Sequence, residues 1–281
     1  MSVPAALRIV CLGALAACAP QASPVVPQEA PVAAQEVPAP LAQPGPPAGL
    51  DGRWRILSVD GQAPAPRPVH PRAPVLSFTD HSWGGTAGCN SFGGLGLLAD
   101  GHYAVHSVSS TLIGCHDLAG RQEQAISDMF FARPRVAFVG EDRVRFESPS
   151  HRVELERIGP NQDPPPPRGR PELRDTSWRV LMMDGEPASA TPAGGMLSFG
   201  DGEWQGTVSC ATFSGSWRRE GDRIAVGERI ATTEQLCPPD RARIDARFAD
   251  LMRSNPRYLV GPNGELLLAG AGHALTGGRA E

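Results

Sequence analysis

From Trp54 the chain reads Trp-Arg-Ile-Leu-Ser-Val, apolar and polar positions alternating, and stops at an Asp60-Gly61 turn signal. That is the pattern of a half-buried β-strand. It returns from Trp178 as Trp-Arg-Val-Leu-Met-Met before Asp184-Gly185. Short apolar strands follow in both places, Val75–Phe78 and Met196–Phe199, and after each the sequence turns rich in glycine. Glycine there predicts tight turns or bulges where backbone runs against backbone. Gly101–Val108 reads as a further strand. In Ala119–Phe131, Ala125 and Met129, and Ile126 and Phe130, fall four apart and make the apolar face of a helix. Ile244, Phe248, Leu251 and Met252 do the same in Asp240–Arg253. A final apolar strand pair closes each series, Arg135–Gly140 with Arg143–Glu147, and Arg257–Gly261 with Glu265–Ala269.

The two series are copies of one another. Cys89 and Cys210 stand 121 residues apart, and Cys115 and Cys237 one residue further. A whole domain of some 110 residues has been duplicated, 50–158 and 173–281, and two copies are too few for a solenoid. The proline-rich 159–172 between them, containing Gly159-Pro-Asn-Gln-Asp-Pro-Pro-Pro-Pro, cannot enter a sheet or continue a helix and reads as a linker. The expectation is two beads on a string. One helix with five or six mostly antiparallel strands makes each bead an α+β domain.

The N-terminus sets the compartment. Residues 1–17 carry one positive charge, Arg8, then an apolar run Ile9–Ala17 too short to span a bilayer, as in a secretory signal peptide. Leu15-Ala16-Ala17-Cys18 resembles a bacterial lipoprotein cleavage box, which implies lipidation of Cys18; the alternative is an ordinary signal peptide with an incidental cysteine. With Ala at position 19, the expected location is the outer membrane, lipid-anchored and facing the periplasm. Residues 18–49 are dominated by Pro and Ala and form a tether, which at about 3.1 Å per residue would reach on the order of 100 Å.

Composition adds mainly exclusions. Over 281 residues, 26 basic and 30 acidic side chains are spread evenly, for a net charge of −4. That offers no basic patch for nucleic acid and no acidic tail.

Trp54-Arg-Ile-Leu, then Gly88-Cys89-Asn90-Ser91-Phe92 and Gly94, then Ser110-Thr111-Leu-Ile-Gly-Cys115, then Glu123 in the helix, resemble the META/HslJ-like domain family. The resemblance covers Leu50–Ile158 well and Leu173–Leu275 less well, where Trp178, Phe213 and Gly215 keep the pattern. In the second copy Gly-Cys-Asn becomes Ser209-Cys210-Ala211, and Arg or Asp stands where the helix would carry Glu. A function needing Asn90 would then belong to the first domain alone. The resemblance implies a curved antiparallel sheet packed against one helix in each domain. It also implies a small bacterial envelope protein, in some members induced by heat or linked to drug tolerance, with no established enzymatic activity.

With Cys11 in the signal and Cys18 lipidated, one cysteine pair remains per domain. In an oxidising compartment that reads as disulfides Cys89–Cys115 and Cys210–Cys237, each adding roughly 3–4 kcal/mol in the chain-entropy model. A redox-active pair, a metal site and a free thiol are the alternatives. His102 and His106 on a strand would lie about 13 Å apart, too far to share a metal. Ser109, Ser110 and Thr111 near His116 and Asp117 lack a nucleophile elbow. Glu123 and Asp128 read as solvated-face or cap residues, Trp54 and Trp178 as core anchors, and Trp83 and Trp204 as partly exposed. No catalytic residue, metal or cofactor is expected. The function expected is a non-enzymatic binding or envelope stress/maintenance module with an envelope protein partner. The alternative is a carrier holding a lipid or small hydrophobic ligand in the cradle of the sheet.

Overall fold

The computed structural model describes residues 49–66, 72–160, 173–188, 194–233 and 236–280. The signal peptide 1–17, Cys18 and the tether through 48 lie outside the described residues, as does most of the linker.

The first domain runs β1 (Gly52–Val59), β2 (Val75–Phe78), β3 (Ser82–Thr86), β4 (Ser91–Ala99), β5 (His102–Val105), β6 (Ser109–Ser110), α1 (Leu118–Phe131), β7 (Arg135–Phe138), β8 (Arg143–Glu147) and β9 (Arg152–Gly159). The second repeats the plan. It runs β10 (Thr176–Met183), β11 (Glu186–Pro187), β12 (Gly195–Phe199), β13 (Glu203–Thr207), β14 (Thr212–Glu220), β15 (Arg223–Thr232), α2 (Pro239–Arg253), β16 (Arg257–Val260), β17 (Glu265–Gly270) and β18 (His273–Arg279).

In the first domain the pairing order is β3-β2-β1-β9-β8-β7-β5-β4, and β3 also pairs with β4, so the sheet closes on itself with β6 attached to β4. In the second, β10-β12-β13-β14-β15-β16-β17-β18 closes through β10–β18, with β11 attached to β10. Each domain is therefore a closed antiparallel barrel of eight strands with one helix. This corrects the expected α+β fold with an open, curved sheet. The missing strands are in the glycine-rich tracts. Gly84 faces Gly93 and Trp83 faces Gly94 across the β3–β4 hairpin. A Cβ on Gly93 would sit 2.6 Å from the Trp83 carbonyl oxygen, so glycine there is what lets two strands close up.

The barrel interiors are filled by side chains. In the first, Trp54, Leu76, Phe78, Trp83, Tyr103, Ile126, Met129, Phe130 and Phe146 form one core. The ring centroids of Trp83 and Phe130 are 4.1 Å apart, and those of Phe78 and Phe146 5.4 Å. In the second, Trp178, Phe199, Trp204, Phe213, Phe248, Met252 and Tyr258 take the same part. Trp83 and Trp204 are 4% and 2% exposed, which corrects the expectation of partial exposure. Each projects inward from a strand that the glycines had disguised.

The domains are also not separate beads. Leu95, Leu97, Ala99 and Ala104 on the outer wall of the first barrel pack against Leu259, Leu267, Ala269 and Ala274 of the second in a core of their own. Polar contacts frame it. Asp100 accepts from the Ala271 backbone N–H at 3.0 Å and from Arg223 at 3.2 Å, and the Arg257 guanidinium donates to the Leu98 carbonyl. The Ala271 N–H holds the Asp100 carboxyl below its ordinary value, Arg223 helping and burial opposing. Past the end of α1, Arg133 donates to the Gly272 carbonyl at 3.3 Å and pairs with Asp184 at 3.3 Å.

Candidate functional site

At one place in each barrel a cysteine bond, a strand turn and the start of the helix are tied together. The bonds are Cys89–Cys115, with Cα atoms 6.3 Å apart, and Cys210–Cys237, 6.0 Å apart. Each joins the turn before β4 or β14 to the segment entering the helix. In the first barrel Asp117 caps α1, its carboxylate accepting from Gly120 N–H at 3.2 Å.

Asn90 organises the first of these knots. Its side-chain oxygen accepts from Thr111 Oγ1 at 2.9 Å and Ile113 N–H at 2.7 Å. Its amide donates to the Ile113 carbonyl and to Cys89 Sγ, each at 3.2 Å. Glu123 reaches up from α1 and accepts from the Asn90 backbone N–H at 2.8 Å. Beside it the buried Gln122 accepts from Ala65 N–H and donates to the Ala63 carbonyl, fixing the chain after β1. Glu123 is thus a latch between helix and turn, not a solvated-face residue. Asp128 stays exposed, accepting from Gln124.

The second knot is tied differently. Ala211 has no side chain to bridge the loop, and Asp245, 5% exposed, does the holding. Its carboxylate accepts from the backbone N–H groups of Ser209 at 3.2 Å, Cys210 at 3.1 Å and Ala211 at 2.9 Å. Thr233 Oγ1 accepts from Thr212 N–H at 3.0 Å, as Thr111 Oγ1 accepts from Ser91 N–H at 3.1 Å. Asp245 stands where the first domain has Glu123, so the acidic position survives the exchange of Glu for Asp. Cys210, Cys237 and Asp245 have ligand atoms within 4.8 Å of one another. A sulfur already spent in a disulfide is no thiolate, so the trio is not a ready metal site.

The remaining motif residues are structural. Trp54 and Trp178 lie wholly in the cores, and Phe92 and Phe213 are buried in them as well. Gly94 and Gly215 lie against Trp83 and Trp204, and Gly88 N–H donates to Thr86 Oγ1 at 2.9 Å. His102 and His106 lie on opposite ends of a strand segment, His106 bonding the Gly277 carbonyl at 2.9 Å. The Asp-Gly turns hold a repeated pair that pattern reading took for turns alone. Asp60 accepts from His151 and from Arg152 N–H, and Asp184 accepts from His273 and from Ala274 N–H, at 2.8–2.9 Å. Burial would raise the Asp60 carboxyl, but the Arg152 N–H and the His151 ring together hold it below its usual value.

What the knots present outward is apolar. Leu112 is 97% and Ile113 48% exposed on the first loop, and Leu236, directly before Cys237, is 102% exposed on the second. Leu112 and Leu236 are the most exposed large apolar side chains among the described residues. The spacing gave no sign of this, since the loop has neither strand nor helix period.

The META domain family model matches residues 48–157 and again 171–281. No curated protein matches the chain. Among solved structures, an NMR structure is 19% identical with TM-score 0.33, covering 38% of this chain and 89% of its own. An NMR structure of a protein from Burkholderia xenovorans is 20% identical with TM-score 0.32, covering 44% of this chain and 98% of its own. Two matches spanning most of the sequence place this chain in the META domain family, as a tandem of two such domains.

Proposed function

We propose that this chain is a lipid-anchored envelope protein, held through Cys18 in the outer membrane and facing the periplasm, whose tandem META domains bind an envelope protein through their disulfide-pinned loops. The observation that carries the reading is the exposure of Leu112, Ile113 and Leu236 close to the disulfides, with the Ile113 backbone held by the Asn90 side chain. A fully exposed leucine forgoes about 1.5–3 kcal/mol of burial, and a loop pinned in advance loses little entropy when a partner covers it. Two such loops on one chain raise the effective concentration at the partner.

The reading assigns the chain no catalytic step. Asn90 spends its hydrogen bonds within the loop, Glu123 and Asp245 accept from turn N–H groups, and the four domain cysteines are paired. A carrier would need apolar volume inside a barrel, where the aromatic rings now sit at contact distance.

The test has two parts. Intact mass of membrane-purified protein, with thiol alkylation before and after reduction, is expected to show an acylated Cys18 and four thiols released only by reduction. A photo-crosslinking residue at Leu112 in the anchored, full-length chain is expected to trap one protein of defined mass, and a probe at exposed Arg143 is not. An unacylated Cys18 overturns the anchor. Equal crosslinking at both positions, or none, overturns the binding loop.

A further inference from the structure

The wall between the barrels is made from unlike surfaces. The first barrel contributes β4 and β5; the second contributes β16, β17 and β18, which correspond to β7, β8 and β9 of the first. An interface that joins two different patches of a repeated unit is head-to-tail, and unless something stops it the same contact adds further units without end. Each half of this chain still carries the other half's kind of wall: β14–β15 on the second barrel, β7–β9 on the first.

Strand register gives the correspondence residue by residue. Leu97 faces Ala104 across β4–β5, and Arg218 faces Ala225 across β14–β15. Leu95, Leu97 and Ala99 thus become Ser216, Arg218 and Glu220. Leu259 faces Leu267 across β16–β17, and Ala137 faces Arg145 across β7–β8. Leu259, Leu267, Ala269 and Ala274 become Ala137, Arg145, Glu147 and Arg152. The seam residues are apolar and mostly buried. Of their counterparts, Ser216, Ala137 and Ala225 (which matches Ala104) are uncharged, but Arg218, Glu220, Arg145, Glu147 and Arg152 put charge on both walls, half-exposed or exposed and paired as Arg218–Glu220, Arg145–Glu147 and Arg152–Glu147. Covering those charges would strip them of water, a desolvation cost that the apolar seam does not carry.

We infer that this seam is a one-way recognition surface: the first barrel's β4–β5 wall binds the second barrel's β16–β18 wall, and charge on the two equivalent walls blocks any further copy. The two halves hold each other independently of the linker, and the chain is a closed pair that does not polymerise.

The experiment uses the full chain with a protease site placed in the linker between Pro164 and Pro167. After cutting, the two halves are expected to co-elute at the mass of the uncut protein, and the uncut protein to run as a monomer. Leu267→Arg and, separately, Leu97→Arg are expected to release the halves on cutting. Hydrogen exchange of the buried core strands in the uncut variants shows that each barrel stays folded. The converse variant joins Arg218→Leu and Glu220→Ala with Arg145→Leu, Glu147→Ala and Arg152→Ala. It uncovers both blocked walls and is expected to form oligomers that grow with concentration. Separation of the unsubstituted halves overturns the seam, as does co-elution in both arginine variants. A converse variant that stays monomeric overturns the blocking role of the charges.

Discussion

The two barrels share one plan and hold their loops by different chemistry. In the first, Asn90 distributes its hydrogen bonds over Thr111, Ile113 and Cys89, and Glu123 adds a single bond from the helix. In the second, Ala211 contributes no side-chain bond and Asp245 gathers three backbone N–H groups. The difference shows that the fold requires the loop to be tied to the helix, and leaves open which residue does it. Asp245 takes three turn N–H groups where Glu123 takes one.

The largest loss of stability is expected at the cysteines. The pairs close loops of nearly equal length, with separations of 26 and 27, so Cys89→Ala with Cys115→Ala and Cys210→Ala with Cys237→Ala should each cost about 3–4 kcal/mol. Hydrogen exchange reports each barrel's opening separately; a loss confined to one pair would show that only that loop is held covalently. Next is the carboxylate. Asp245→Ala orphans three donors, that of Ala211 buried, and should cost about 3 kcal/mol, against about 1 kcal/mol for Glu123→Ala, which orphans one. Asn90→Ala falls between them, at about 2 kcal/mol, by the same measurement. Equal losses for Glu123 and Asp245 would erase the distinction between the knots.

Smaller effects sharpen it. The Asp100 carboxyl is depressed in the folded chain, so its contribution to the seam is complete above the unfolded value of about 3.9 and is lost as pH falls through the folded value. An acid titration of the linker-cut chain should show the halves parting in that window, and Asp100→Asn should remove that part of the pH dependence. Leu112→Ser should change stability by less than about 0.5 kcal/mol while abolishing the Leu112-dependent crosslinked product. A large destabilisation would mean that the loop leucine serves the fold.

The duplication, the helices and the cysteine pairs could be read from the sequence because each is written in local pattern or in exact spacing. Closure could not. Whether β3 meets β4 depends on partners distant in space, and glycine, which permits the approach, removes the side chains whose alternation would have shown a strand. The role of Glu123 is not legible in local pattern because its partner, the Asn90 backbone N–H, lies 33 residues earlier. The seam did leave a trace. Leu266-Leu267-Leu268 is apolar on both faces of a strand, whereas its counterpart Val144-Arg145-Phe146 alternates. Setting the two copies side by side, position by position, exposes what neither shows alone.

A closed sheet has a further consequence. Strands at the rim of an open sheet offer bare amides and carbonyls on which another chain can zip, the commonest start of amyloid and of swapped dimers. Among the described residues the ring leaves only the two-residue β6 and β11 with such rims. Copies of these closed barrels can therefore meet in solution without one templating strands onto the next.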